Sequence, residues 1–171
     1  MYHKVSRFSI YLLLSASLIL QLTVIDYIKI FNAKPDIMLL LVIFFGLFFG
    51  GSVGLETGFA AGLLKDILSV DIFGINTLTL AITGLTVGIL SPKFFKESRI
   101  TQMALVFAFA LFFMLAHYIF NSFISKITYI SFSEYLFGLI IPASLYTSFI
   151  SVTIFPILMS RYHLEEKEEF L

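Results

Sequence analysis

Six long apolar stretches constrain this chain more than any other feature of its sequence. A helix that crosses a membrane needs about 20 predominantly apolar residues, and these stretches reach or approach that length. Only 13% of the residues are charged, whereas a soluble domain carries about 25% to cover its surface. Most of the surface must therefore face lipid. The stretches cover residues 8–25, 36–49, 51–70, 73–90, 100–125 and 135–159.

Backbone chemistry decides which kind of membrane fold these stretches form. In hydrocarbon every backbone N–H and C=O must be bonded within the protein, which leaves helices or closed barrels. A barrel would show segments of about ten residues with alternating polarity, but these stretches are continuously apolar. The sequence predicts an all-α integral membrane protein, a six-helix transmembrane bundle with a single domain over residues 1–171. The second stretch is short, so five spans plus a re-entrant segment is an open alternative.

Prolines and charged residues predict the boundaries and the orientation. Pro35 disfavours a helical Lys34, and Asp36 can cap the second helix. Pro142 and Pro156 predict a kink or an early end in the last helix. Lys and Arg are enriched in cytoplasmic loops, and placing both termini in the cytoplasm puts seven of these residues inside and four outside. We therefore expect a multi-pass protein with cytoplasmic termini.

The third stretch carries glycine at every fourth position. Gly50, Gly54, Gly58 and Gly62 share this spacing, and Asp66 continues it. On a helix such residues form a narrow ridge without side chains, which lets a second helix approach closely. The simpler interpretation is that a neighbour in the same bundle packs there. The alternative is a helix of a partner protein.

Polar residues inside the apolar stretches are the other candidates for function. A charge near the bilayer centre costs at least about 2.5 kcal/mol and usually marks a functional site. Lys65 and Asp66 lie near the end of the third stretch, where both can reach the membrane interface. They are interpreted either as interfacial snorkelling or capping residues or as contacts to a partner. Glu56 is buried or interfacial, depending on where its helix begins. His117 and Asn121 share a helix face, either as a packing hydrogen bond or as a pair that responds to protons or a ligand.

One motif connects the second stretch to the start of the fourth. It consists of Pro35-Asp36, then a Gly-xxx-Gly-Phe-xx-Gly-Leu-Leu-x-Asp pattern from Gly54 to Asp66, then Gly74 at the start of the next helix. This motif resembles the family of the rod shape-determining protein MreD. Glu56 departs from the apolar or small residue that is usual there.

The resemblance implies a fold, a function and a set of partners. The implied fold is similar to the substrate-binding subunits of energy-coupling-factor vitamin transporters. The implied function is that of a non-enzymatic subunit of the elongation machinery in the bacterial inner (plasma) membrane, which supports cell shape and peptidoglycan synthesis. The implied partners are the bitopic protein MreC, the MreB filament, the RodA glycosyltransferase and the elongation transpeptidase.

Two transporter functions remain as alternatives. A substrate-binding membrane subunit of a small-molecule (vitamin) transporter needs a polar-lined pocket, for which Glu56, His117 and Asn121 are candidate contacts. An ion-coupled transporter needs a relay of buried acids, of which only Glu56 is a plausible member.

Composition and motifs argue against several other classes of function. Cysteine is absent and the three histidines are scattered, so we expect no metal site, no cofactor and no catalytic residue. The net charge is zero, which gives no electrostatic reason to expect nucleic-acid binding.

Overall fold

The architecture is all-α, as the apolar stretches predicted. The structure, a computed structural model, describes residues 6–23, 33–69, 72–96, 98–125, 131–162 and 164. Within these residues six helices follow one another along the chain. They are α1 (Arg7–Thr23), α2 (Ile37–Phe49), α3 (Gly51–Leu68), α4 (Ile75–Leu90), α5 (Arg99–Ser125) and α6 (Phe132–Arg161).

Three helices in the described part of the chain are long and apolar enough to cross a membrane. They are α4 with the 3₁₀ turn that extends it to Lys93, α5, and α6. Helices α1 and α2 are apolar but shorter, with 17 and 13 residues. These features support the prediction of a helical membrane protein.

Helix α2 is the centre of the bundle. It packs against each of the other five helices, and only Ile37 and Phe48 among its residues are not buried. A helix that is apolar on all sides is one that is surrounded, which explains why the second stretch shows no polar face. Its 13 residues reach about 20 Å, less than the hydrocarbon thickness of about 30 Å.

The ends of α2 have local causes. Its N-terminus is capped by Asp36, whose carboxylate accepts a hydrogen bond from the backbone N–H of Leu39 at 3.0 Å. Its C-terminus meets Gly50, which has φ +91° and alone separates α2 from α3. A side chain is strained at such a φ value, so glycine permits the tight reversal between the two helices.

Two other boundaries differ from those predicted. Helix α4 begins at Ile75, because Gly74 adopts a left-handed conformation with φ +100° and ends the turn before it. Helix α6 continues through Pro156 to Arg161 instead of ending early. Its first part contains a π-helical segment, Leu136–Ile140, directly before Pro142. The wider turn relieves the clash between a proline ring and the preceding turn.

Candidate functional site

The glycine ridge of α3 lies against α4 of the same chain. A Cβ atom on Gly54 or Gly58 would overlap the backbone carbonyl oxygen of Gly84 or Leu80, respectively. A Cβ atom on Gly62 would overlap the Cα atom of Thr77. The backbones of the two helices are therefore in direct contact, and α4 occupies the surface that the ridge offers.

Glycines of α2 and α4 complete this contact. At Gly46 of α2, a Cβ atom would lie 2.7 Å from the carbonyl oxygen of Gly84, and at Gly54 it would lie 2.8 Å from the Cα atom of Gly46. At Gly88 of α4, a Cβ atom would overlap the Cα atom of Gly51, at the start of α3. Sequence reasoning missed these partners, although the four-residue spacing of Gly84 and Gly88 was a signal for them.

Asp66 caps α4 from the end of α3. The residue is 3% exposed, and its two carboxylate oxygens accept hydrogen bonds from the backbone N–H groups of Asn76 and Thr77 at 3.1 and 2.9 Å. The Asn76 side-chain amide and the Thr77 hydroxyl also donate to it. Gly74 has no side chain to cap α4, so Asp66 supplies the acceptors that the first N–H groups of a helix need.

Lys65 forms an ion pair with Asp36 at the start of α2. The side chains are 18% and 8% exposed, and the Lys65 ammonium also lies 5.2 Å from the centre of the Phe113 ring on α5. Asp36 receives a further hydrogen bond from Gln21 of α1, and its N–H donates to Thr147 of α6. No local sequence pattern indicated this pair, because its members are 29 positions apart.

Glu56 lies at the opposite end of α3, apart from Lys65 and Asp66. Its carboxylate accepts a hydrogen bond from the Tyr11 hydroxyl at 2.8 Å and pairs with Arg7 at 3.3 Å. The Glu56 side chain is 34% exposed and that of Arg7 is 76% exposed. Glu56 therefore joins α3 to α1 at a bundle end, in a position that does not suit a buried proton relay.

A cavity of about 480 Å³ lies beside the Asp36–Lys65 pair. His117 of α5 contributes to its wall, together with Asn76 of α4 and Tyr135 of α6. Asn121 lies within α5, but the structure does not describe its side chain. Its pairing with His117 therefore stays a prediction. Pockets for small molecules are typically 300–1,000 Å³, and this cavity falls within that range. Its size is therefore compatible with the vitamin-transporter alternative, which required a ligand-sized cavity.

The candidate residues thus fall into three places. Lys65, Asp66 and His117 gather at the cavity end of the bundle, Gly54, Gly58 and Gly62 lie in the α3–α4 contact, and Glu56 and Gly50 lie near the other end. The described residues contain no cluster of three His, Cys, Asp or Glu side chains that could hold a metal ion.

Comparison with known proteins identifies the family. The family model described as rod shape-determining protein MreD matches residues 2–163. The chain belongs to the MreD family. No curated protein and no solved structure matches it, so the predicted likeness of this MreD-family protein to energy-coupling-factor subunits stays a prediction. Membership makes the chain a membrane protein of rod-shape determination.

Replacing Gly58 tests the backbone contact of α3 and α4. We expect Gly58→Ala to lower the free energy of unfolding by about 2–3 kcal/mol, because the new methyl group meets a backbone carbonyl that cannot move aside. The measurement is the thermal unfolding midpoint of the purified protein in detergent. Gly138→Ala is the matched control, since a Cβ atom there meets nothing within 4 Å. Equal midpoints for the two variants would contradict the contact.

A double-mutant cycle tests the Asp36–Lys65 pair. We expect Lys65→Met to destabilise the protein by about 3–5 kcal/mol, because it leaves a buried carboxylate without its partner charge. Adding Asp36→Asn removes that charge and keeps the capping oxygen, so the double variant should recover at least about 1 kcal/mol. Additive losses in the thermal midpoints would argue against the pair. The Arg7–Glu56 pair, in which Arg7 is exposed and Glu56 is half-buried, is the control, with an expected coupling below about 1 kcal/mol.

Proposed function

We propose that this protein is a non-enzymatic membrane subunit of the bacterial elongation (rod) complex, and that it supports cell shape and peptidoglycan synthesis by binding an MreC-like bitopic protein. The observation that carries the proposal is the match to the MreD family over residues 2–163. The larger assembly would include MreB, RodA and the elongation transpeptidase.

The internal bonds of the protein support a role in packing and partner binding. Asp36, Lys65 and Asp66 are charged residues of the kind that catalysis often uses, yet each is engaged in joining helices. Helices α2, α3 and α4 meet through glycine backbones. Close contacts between helix backbones hold the helices in fixed positions. A rigid bundle of this kind suits a subunit that binds and positions other membrane proteins.

The partner must use a surface other than the glycine ridge, because α4 fills it. Exposed apolar residues that a membrane helix could contact lie on α1, α3, α4, α5 and α6. Examples are Leu12 on α1, Phe59 on α3, Ile82 on α4 and Phe149 on α6. Helix packing in membranes depends on such side-chain contacts as well as on small residues.

We propose that the protein lies in the inner membrane with both termini in the cytoplasm. Arg7 at the start of α1, Lys93 after α4, Arg99 at the start of α5 and Arg161 at the end of α6 then lie on the cytoplasmic side. This arrangement agrees with the enrichment of positive charge in cytoplasmic loops.

Site-specific photo-crosslinking in a rod-shaped bacterium tests the proposal. A photoreactive amino acid is placed in turn at Leu12, Phe59, Ile82 and Phe149, with fully buried Phe155 as the control position. We expect a crosslink to the MreC-like protein from one face of the bundle and none from Phe155. In the same strain, depletion of the protein should turn rods into spheres. Absence of any partner crosslink, together with unchanged shape on depletion, would contradict the proposed function.

A further inference from the structure

The loop between α4 and α5 presents a large aromatic side chain at its surface. Phe95 is 84% exposed, more than any other large apolar side chain in the described part of the chain. Its neighbour Phe94 is half-buried and packs against the core instead. Exposure of a large apolar side chain to water is unfavourable, so the environment that suits Phe95 is an apolar one outside the protein.

The loop holds Phe95 in a defined position. The backbone N–H of Ser98 donates to the carbonyl oxygen of Phe95 at 3.3 Å, which joins the backbone on both sides of Lys96. The side-chain amide of Gln102, a buried residue of α5, donates to the carbonyl oxygen of Lys96 at 2.6 Å. Phe94 in the core and Gln102 beneath the loop therefore anchor the segment that carries Phe95.

The same loop lies at a membrane boundary. The span that contains α4 ends at Lys93 and the next span begins at Arg99, so residues 94–98 connect them. A connection of this length extends at most about 10 Å before it returns. The headgroup region on each side of the hydrocarbon is about 5–8 Å thick. Phe95 is therefore within reach of lipid.

Basic residues flank Phe95 on both sides. Lys93 and Arg99 are exposed, Lys96 is half-buried, and none of the three forms an ion pair within the described part of the chain. The sequence adds one acid, Glu97, which lies outside the described residues. Three positive charges less one negative charge leave this short stretch with a net charge of +2. Its charge is thus complementary to that of an anionic surface.

We propose that this loop binds anionic phospholipid, with Phe95 among the acyl chains nearest the headgroups and with Lys93 and Arg99 on the headgroup phosphates. Aromatic and long basic side chains are both favourable at the membrane interface, and clustered basic residues attract anionic lipid. The position of the loop at headgroup level favours lipid over a soluble acidic protein. With both termini in the cytoplasm the lipid belongs to the cytoplasmic leaflet, and only this choice of leaflet rests on the proposed function.

Photo-crosslinking of the purified full chain in nanodiscs tests the proposal. The nanodiscs contain phosphatidylglycerol and phosphatidylcholine in equal amounts, and a photoreactive phenylalanine analogue replaces Phe95. Mass spectrometry of the adducts gives the ratio of the two lipids. We expect phosphatidylglycerol to exceed phosphatidylcholine at least about fivefold, which is the effect of one Lys or Arg near an anionic surface.

A second probe position supplies the control. Phe149 is 64% exposed and lies more than three helical turns from either charged residue of α6, Glu134 and Arg161. A probe there meets lipid without a basic residue beside it on the helix. We expect the two lipids to form adducts at position 149 in a ratio near one.

Charge variants locate the binding. Replacing both flanking residues, Lys93→Gln with Arg99→Gln, should bring the lipid ratio at position 95 close to one. The matched variant, Lys93→Arg with Arg99→Lys, keeps both charges and should keep the ratio. Both residues are exposed, and an unchanged ratio at position 149 in each variant checks that the bundle is intact.

Two results would overturn the proposal. One is a lipid ratio at position 95 that equals the ratio at position 149 or survives the loss of both charges, which describes lipid contact without recognition of charge. The other is a probe at position 95 that forms adducts with a protein and none with lipid in whole cells, which would assign the loop to a protein partner. Either failure would leave the crosslinks to the MreC-like protein unaffected.

Discussion

The direct contact between the backbones of α3 and α4 is the constraint on which the rest of this structure depends. Lipid tails are as apolar as the helix side chains, so burying apolar surface gives helices in a membrane little reason to associate. Close van der Waals packing supplies the attraction instead. Gly54 and Gly58 on α3 and Gly84 on α4 permit it by bringing backbone atoms together where any side chain would intrude. Gly46 extends the contact to α2, and the three helices form a unit around which α1, α5 and α6 pack.

The contact between α3 and α4 also positions the charged residues at the end of α3, Lys65 and Asp66. Because Gly62 lets α3 approach the first turn of α4, the next residue on the same ridge, Asp66, reaches the N–H groups of Asn76 and Thr77. Lys65, beside it in the sequence, points instead to Asp36. These charged and polar side chains, which would be costly to leave unpaired in lipid, thus find their partners inside the protein. The cavity lies beside these residues, and α1, α5 and α6 contribute to its wall.

Local patterns predicted the parts of the fold that depend on local causes. Continuous apolar residues predicted helices, Asp36 predicted a cap, and the glycine spacing indicated a ridge. The partners across the bundle lay beyond such patterns, because the contacts of Gly54 with Gly84 and of Lys65 with Asp36 join residues 30 and 29 positions apart. The location of Glu56 was open because it depends on the residue at which α3 begins, and the π-helical segment before Pro142 has no sequence pattern of its own. Membership of the MreD family then connects this packed bundle to rod-shape determination.

Solid-state NMR of the ¹³C-labelled protein in lipid bilayers tests the α3–α4 contact most directly. A Cβ atom at Gly58 would lie 2.9 Å from the Cα atom of Ala81. Because one carbon–carbon bond of about 1.5 Å joins that Cβ atom to the Cα atom of Gly58, the two Cα atoms are at most about 4.5 Å apart. The structure predicts a strong cross-peak between the Cα carbons of Gly58 and Ala81 at short mixing times. Absence of that cross-peak, with both resonances observed and assigned, would contradict the contact on which this account of the fold is built.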